Sequence, residues 1–145
     1  MHPVREGGNV IVLFGAPIAG IKTAHAAVET SRSVTERKIE LGVPAAIIEE
    51  HGVISAECAR EMARVARERR EASVGVGITG VAGPDEQEGH PAGTIHIAVD
   101  AIWSAPQTAS YVYAQGRTAV KRRAVTTALV MLRQSLLNYR RLALV

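Results

Sequence analysis

Val74-Gly75-Val76-Gly77-Ile78-Thr79-Gly80-Val81-Ala82-Gly83-Pro84-Asp85 is the stretch whose reading decides the fold. An apolar run at residues 74–78 enters a glycine-rich loop. His90-Pro91-Ala92-Gly93-Thr94 leads out of it into a second apolar run, residues 94–99. Two strands joined in this way can present bare backbone N–H groups to a ligand. Thr79 and Thr94 add hydroxyls at the two strand ends. Such a loop suits a phosphate or a developing oxyanion. The same residues also suit a hairpin connection with two tight turns, which needs Gly and Pro for conformational reasons alone. Both readings stand at this level.

Working upstream, Pro44 opens a short helix at its tolerated first position. That helix runs from Ala45 to His51 and stops at Gly52. Ser55 is an N-cap residue for the next helix, whose apolar stripe is Ala59, Met62, Ala63 and Ala66, with arginines opposite. Earlier still, residues 10–14 read as a buried strand, residues 15–20 as a loop, and residues 21–41 as a helix that Gly42 ends. Downstream, Tyr111-Val112-Tyr113 is a strand after the Ala105-Pro106 turn. A last helix, from about Thr118 to Asn138, carries Val120, Ala124, Ala128, Met131 and Leu132 on one face. Helices alternating with strands, then a strand hairpin, predict a layered α/β domain with a mixed sheet. There is no internal repeat, low-complexity tract or linker, so residues 1–145 are expected to form a single domain.

Composition excludes several classes. The chain has 145 residues, 47% hydrophobic and 21% charged, which suits one globular domain. Aromatics are 3%, too few for modules that stack bases, so no nucleic-acid partner is expected. The net charge is +3, with arginines crowded around residues 60–70 and again along residues 121–141. Solvated helix faces explain most of these; a few could recognise an anion. One cysteine, Cys58, permits no internal disulfide and fits a reducing cytoplasm. The five histidines have no ligand spacing, so no metal is expected.

No apolar run reaches the ~20 residues of a membrane span, and no membrane partner is expected. Residues 10–21 after Arg5, with Ala24-His25-Ala26, imitate a secretion signal, but Gly15, Pro17, Gly20 and Lys22 interrupt it. A cytoplasmic location is therefore expected. Gly15-Ala16-Pro17-Ile18-Ala19-Gly20-Ile21-Lys22-Thr23 imitates a nucleotide-binding P-loop. Ile21 separates Gly20 from Lys22, which would turn Lys22 by about 100° on a helix. Pro17 also removes an N–H donor that the loop requires.

Four segments resemble the C-terminal domain of the CinA family. His51-Gly52-Val53-Ile54-Ser55 is similar to its H-G-x-V/I-S helix start. Thr79-Gly80-Val81-Ala82-Gly83-Pro84 is similar to its T-G-x-A-G-P loop, and Pro91-Ala92-Gly93-Thr94 to the P-x-G-T that follows. Gln115-Gly116-Arg117-Thr118-Ala119-Val120-Lys121-Arg122 resembles its G-D-R-x-x-V-R segment. The likeness runs from about Glu36 to Leu137; residues 1–35 diverge.

The resemblance implies a three-layer α/β/α sandwich. It also implies the chemistry of nicotinamide mononucleotide amidohydrolases, in which a carboxamide becomes a carboxylate and ammonia leaves. Those enzymes use neither metal nor cofactor and are usually dimers. Thr79, Gly80, Ala82, Gly83 and Thr94 are then expected around the substrate. Arg117 and Lys121, one helical turn apart, are expected to clamp the phosphate of a mononucleotide.

The first third departs from the family. Active members carry S-C-T-G-G, whose serine is the nucleophile the family implies; the positional match, Ala16-Pro17-Ile18-Ala19-Gly20, has no hydroxyl or thiol. The family's first helix has no counterpart either. Setting Ser33 against the tyrosine of the family's Y-S-N-x-x-K places Lys38 on the lysine, a candidate base. Shifting the register by one places Arg37 there, and arginine cannot act as a base near neutrality. Three readings stay open: an inactive member that still binds a nucleotide, another nucleophile such as Ser31 or Ser33 near Lys38, or a first third altered by a shifted frame. The expected function is that of an amidohydrolase-like protein without the usual nucleophile, and the alternative is a non-catalytic nucleotide-binding or interaction domain. Apolar surface uncovered by the missing helix predicts a homodimer or higher oligomer.

Overall fold

The computed structural model describes residues 16–18, 21–25, 42–69 and 71–144. The strand expected at residues 10–14, and Ser31, Ser33 and Lys38, lie outside them. The elements in chain order are β1 (Ala16–Ile18), β2 (Ile21–His25), α1 (Ala45–His51), α2 (Ala56–Arg69), β3 (Val74–Gly80), β4 (Thr94–Ala101), β5 (Gln107–Val112) and α3 (Arg117–Ala143).

The strands form one sheet in the order β1-β2-β3-β4-β5. The β2–β3 pair is parallel and the others are antiparallel, so the sheet is mixed, as expected. Two expectations are corrected. Residues 21–25 are a strand rather than the start of a helix, and Ala16–Ile18 is a strand inside the expected loop. The alanines at 24, 26 and 27 favour a helix locally. The free edge of β3 needs a partner, however, and Thr23, Ala24 and His25 pair with Val74, Gly75 and Val76. Tertiary pairing overrides local propensity here.

Helices cover both faces of the sheet. On one face, Val120, Ala124 and Ala128 of α3 bury against Ile95 and Ile97, with Val76, Ile78 and Met131 beside them. On the other, Ala59 and Ala63 of α2 meet Ala98 of β4. The alternation along β3 explains both contacts, because Val74, Val76 and Ile78 point to α3 while Gly75 and Gly77 lie under α2. A Cβ on Gly77 would stand 2.8 Å from the Ala63 nitrogen and 2.9 Å from the Met62 Cβ, with the Ala59 carbonyl closer still. The small residues let the α2 backbone rest directly on β3. The three-layer α/β/α arrangement is therefore present.

Local signals hold at most helix ends. The Cys58 amide donates to Ser55 Oγ at 3.1 Å, so Ser55 caps α2. Pro44 precedes the first helical residue of α1, one place earlier than expected, and Gly52 ends that helix with φ 81°. Helix α3 extends further than expected, to Ala143. A long-range ion pair ties α2 to β4, with Arg67 Nε 2.8 Å from Asp100 Oδ2.

Candidate functional site

The connection from β3 to β4 returns on itself before it reaches α3. The Val81 amide donates to the Thr94 carbonyl at 2.8 Å, and the Gly93 amide to the Val81 carbonyl at 2.6 Å. The Tyr113 amide then donates to the Gly93 carbonyl at 2.8 Å. Gly93 takes φ 94°, and a Cβ there would stand 2.6 Å from the Tyr113 carbonyl, so only glycine fits that crossing. These bonds hold the loop at the same end of the sheet as the start of α3.

The two threonines serve this frame. Thr79 is 1% exposed, and its hydroxyl donates to the Val53 carbonyl at 2.7 Å. The Thr94 hydroxyl donates to the Pro91 carbonyl at 2.7 Å. Both brace the loop, and neither hydroxyl hydrogen is directed to an outside group. Gly80 lies on the Thr94 carbonyl, another close approach. Ala82 packs its methyl on the cluster under α3. Among the described residues, no carbonyl accepts from the Ala82 or Gly83 amides.

Helix α3 opens beside this loop. Arg117 Nη1 donates to the Gly83 carbonyl at 2.9 Å, which fixes the guanidinium over the loop. Lys121 follows one turn later and is half-buried. Its pKa is lowered from the ordinary 10.5, first by burial and then by the neighbouring Arg117 guanidinium. Among the described residues, no carboxylate lies within ion-pair distance of Lys121. Gly116 precedes the helix and has no side chain to cap its first-turn amides. Two adjacent cations, an uncapped helix start and the Ala82 and Gly83 amides form an arrangement suited to an oxyanion such as phosphate.

The sequence reading missed a neighbouring feature. An open cleft of about 580 Å³ runs along the first turns of α3, lined by Tyr113, Gln115, Arg117, Arg122 and Arg123. Arg123 lies over the Tyr113 ring, 5.4 Å from its centroid. The Arg122-Arg123 pair on an expected helix was the available signal, and it was indistinguishable from a solvated face.

Three candidate nucleophiles among the described residues, Cys58, Ser55 and Ser110, serve elsewhere. Cys58 lies on the buried face of α2, and Ser55 caps that helix. Ser110 Oγ is 2.7 Å from His96 Nδ1 on the α2 side of the sheet. Burial lowers the His96 pKa, His90 lowers it further, and Glu57 opposes them. Among the described residues, no group of three His, Cys, Asp or Glu side chains could hold a metal ion.

A three-layer α/β/α domain whose glycine loop meets a cationic helix start defines the class of this protein. The chain belongs to the CinA C-terminal domain family, whose model matches residues 23–136. A Listeria welshimeri protein named as competence-damage inducible is 43% identical over 116 residues, which cover 78% of this chain and 28% of that protein. The chain thus spans less than a third of the length of that relative. A CinA superfamily crystal structure from Escherichia coli is 36% identical with a TM-score of 0.65, covering 70% of this chain and 59% of that one. A competence/damage inducible protein from Agrobacterium tumefaciens has a TM-score of 0.66 at 32% identity, covering 70% of this chain and 63% of that one.

Proposed function

We propose that this chain binds a mononucleotide through its phosphate, as a domain of the nicotinamide mononucleotide amidohydrolase type whose own hydrolytic step is impaired. The observation that carries the reading is Lys121. Its side chain is partly buried beside a second cation, with no carboxylate in ion-pair range among the described residues. Holding two like charges together costs free energy that an anion between them would offset. Arg117, anchored on the Gly83 carbonyl, would bring its positive charge to the phosphate. The Ala82 and Gly83 amides would supply further donors, and Thr79, Gly80 and Thr94 would hold the loop in place.

Amide hydrolysis needs a nucleophile, a base and oxyanion donors. The loop could supply the donors. The family's serine has no equivalent in Ala16-Pro17-Ile18-Ala19-Gly20, and Lys38 would be the base if any hydrolysis remains. This reading needs no metal or cofactor. It places the protein in the cytoplasm, where pyridine nucleotides are recycled, as a homo-oligomer. Strand β5 is a sheet edge within an uncharged stretch, residues 104–116, and edges of that kind pair readily.

Calorimetry with nicotinamide mononucleotide and with inorganic phosphate tests the proposal. Arg117→Ala should weaken binding of both by ~1.5–3 kcal/mol, the scale of a charge-assisted hydrogen bond. Lys121→Met should weaken both while leaving the loop contacts of Arg117 in place. Equal affinity in wild type and both variants would overturn the assignment.

A further inference from the structure

We propose that the outer face of α3 seats on an anionic lipid surface. From Ala101 to the last residue the chain has seven Lys or Arg side chains and no Asp or Glu. The whole chain is only +3, so the first hundred residues are net negative and the basic charge is gathered on one element. The buried side of α3 is the row Val120, Ala124, Ala128 and Ser135. At 100° per residue the opposite side takes Arg122, Leu129, Arg133 and Arg140, with Val125 and Val130 on its flanks. This side is far from bare of apolar groups: Val125 is 53% exposed, Leu129 60% and Val130 61%. A helix of 27 residues is about 40 Å long, so the strip is long as well as mixed.

Aliphatic and guanidinium groups interleaved on one exposed face fit few partners. A second copy docked through this face would set its own cations against the same cations, with no carboxylate on either helix to pair them. Nucleic acid would take the arginines but gain little from exposed Val and Leu, and stacking aromatics are absent from the strip. A headgroup layer takes both at once, phosphates on the arginines and apolar side chains at the acyl boundary. No described helix is long and apolar enough to cross a membrane, so the contact is with a surface. It revises the sequence expectation that no membrane partner exists. Its test does not use the proposed nucleotide site, because neither double variant touches Arg117 or Lys121.

The test is flotation of the purified full chain with vesicles of phosphatidylglycerol and phosphatidylcholine in equal parts, against vesicles of phosphatidylcholine alone. Binding is expected to the anionic vesicles only, and to fall as salt rises. Arg133→Gln with Arg140→Gln should lower the partition coefficient about 30-fold, at ~1 kcal/mol for each basic side chain near the surface. Leu129→Gln with Val130→Gln should also lower it. All four side chains are exposed, so thermal unfolding of both double variants should match wild type. No partition onto anionic vesicles would overturn the proposal, and so would partition unchanged by the apolar pair. If that pair instead lowers the mass seen by light scattering and leaves flotation unchanged, the face is a self-contact and the proposal fails.

Discussion

Gly77→Ala should destabilise the fold by about 3 kcal/mol, near the upper end of the cost of overpacking a close-packed interior. The added methyl would stand 2.8 Å from the Ala63 nitrogen and 2.9 Å from the Met62 Cβ, whereas ordinary contacts begin at 3.4 Å. Helix α2 would have to retreat by roughly half an ångström or more, since interiors of this density transmit strain instead of absorbing it. That retreat opens the Ala59, Ala63 and Ala98 contact and pulls on the Thr79–Val53 hydrogen bond. For a chain of this size, 3 kcal/mol corresponds to a fall of about 10 °C in Tm. Thermal unfolding followed by circular dichroism measures it. A control is Gly89→Ala, where nothing lies within 4 Å and only the positive φ of 76° opposes the change. It should cost about 1 kcal/mol. The sign makes the test sharp. Alanine is the better residue in a strand by about 0.5–1 kcal/mol when space is open. A Gly77→Ala protein as stable as wild type, or more stable, would mean that α2 does not rest on β3.

Turnover of nicotinamide mononucleotide should be at least ~10³-fold below that of an active relative, the usual scale for a lost nucleophile. A coupled ammonia assay reads it, and a kcat near ~10 s⁻¹ would show that another residue attacks. Stability should fall as pH drops through the ordinary histidine value of 6.5, because the folded chain holds His96 neutral and the unfolded chain takes up the proton. His96→Gln should flatten that fall when Tm is compared at about pH 7 and pH 5. Light scattering should report a dimer or larger species, and Thr108→Lys on the exposed edge of β5 should reduce it to a monomer; a wild-type monomer at high concentration would refute the expected association.

Most of the described fold was legible from periodicity and punctuation. Alanine and methionine at helical spacing marked the buried face of α2, and Val120, Ala124 and Ala128 marked that of α3. The glycines of β3 were read only as part of an apolar run. Their reason is the α2 backbone on one side of the strand, a contact between segments that no local pattern records. The strand at Ile21–His25 failed for a related reason. Its residues favour a helix in isolation, and the free edge of β3 decides otherwise.

The candidate site was legible in its parts and not in their division of labour. The T-G-x-A-G-P and G-D-R-like segments do meet, through the Arg117 contact with the Gly83 carbonyl. The threonines were grouped with the ligand-facing residues because a hydroxyl at a strand end can serve either role. Burial and a carbonyl at 2.7 Å assign both to the frame. Among the described residues, the Ala82 and Gly83 amides are then the loop donors to which no carbonyl is paired, and the charge comes from α3. A site built in this way separates binding from catalysis. The parts proposed to hold an anion belong to a loop and a helix start that the core keeps in place, whereas a nucleophile would have to come from a different segment. The frame that presents the loop amides can therefore persist while that segment changes. On the proposed reading, loss of the serine would remove hydrolysis first and leave phosphate recognition, with its salt and charge dependence, as what Arg117→Ala and Lys121→Met should weaken.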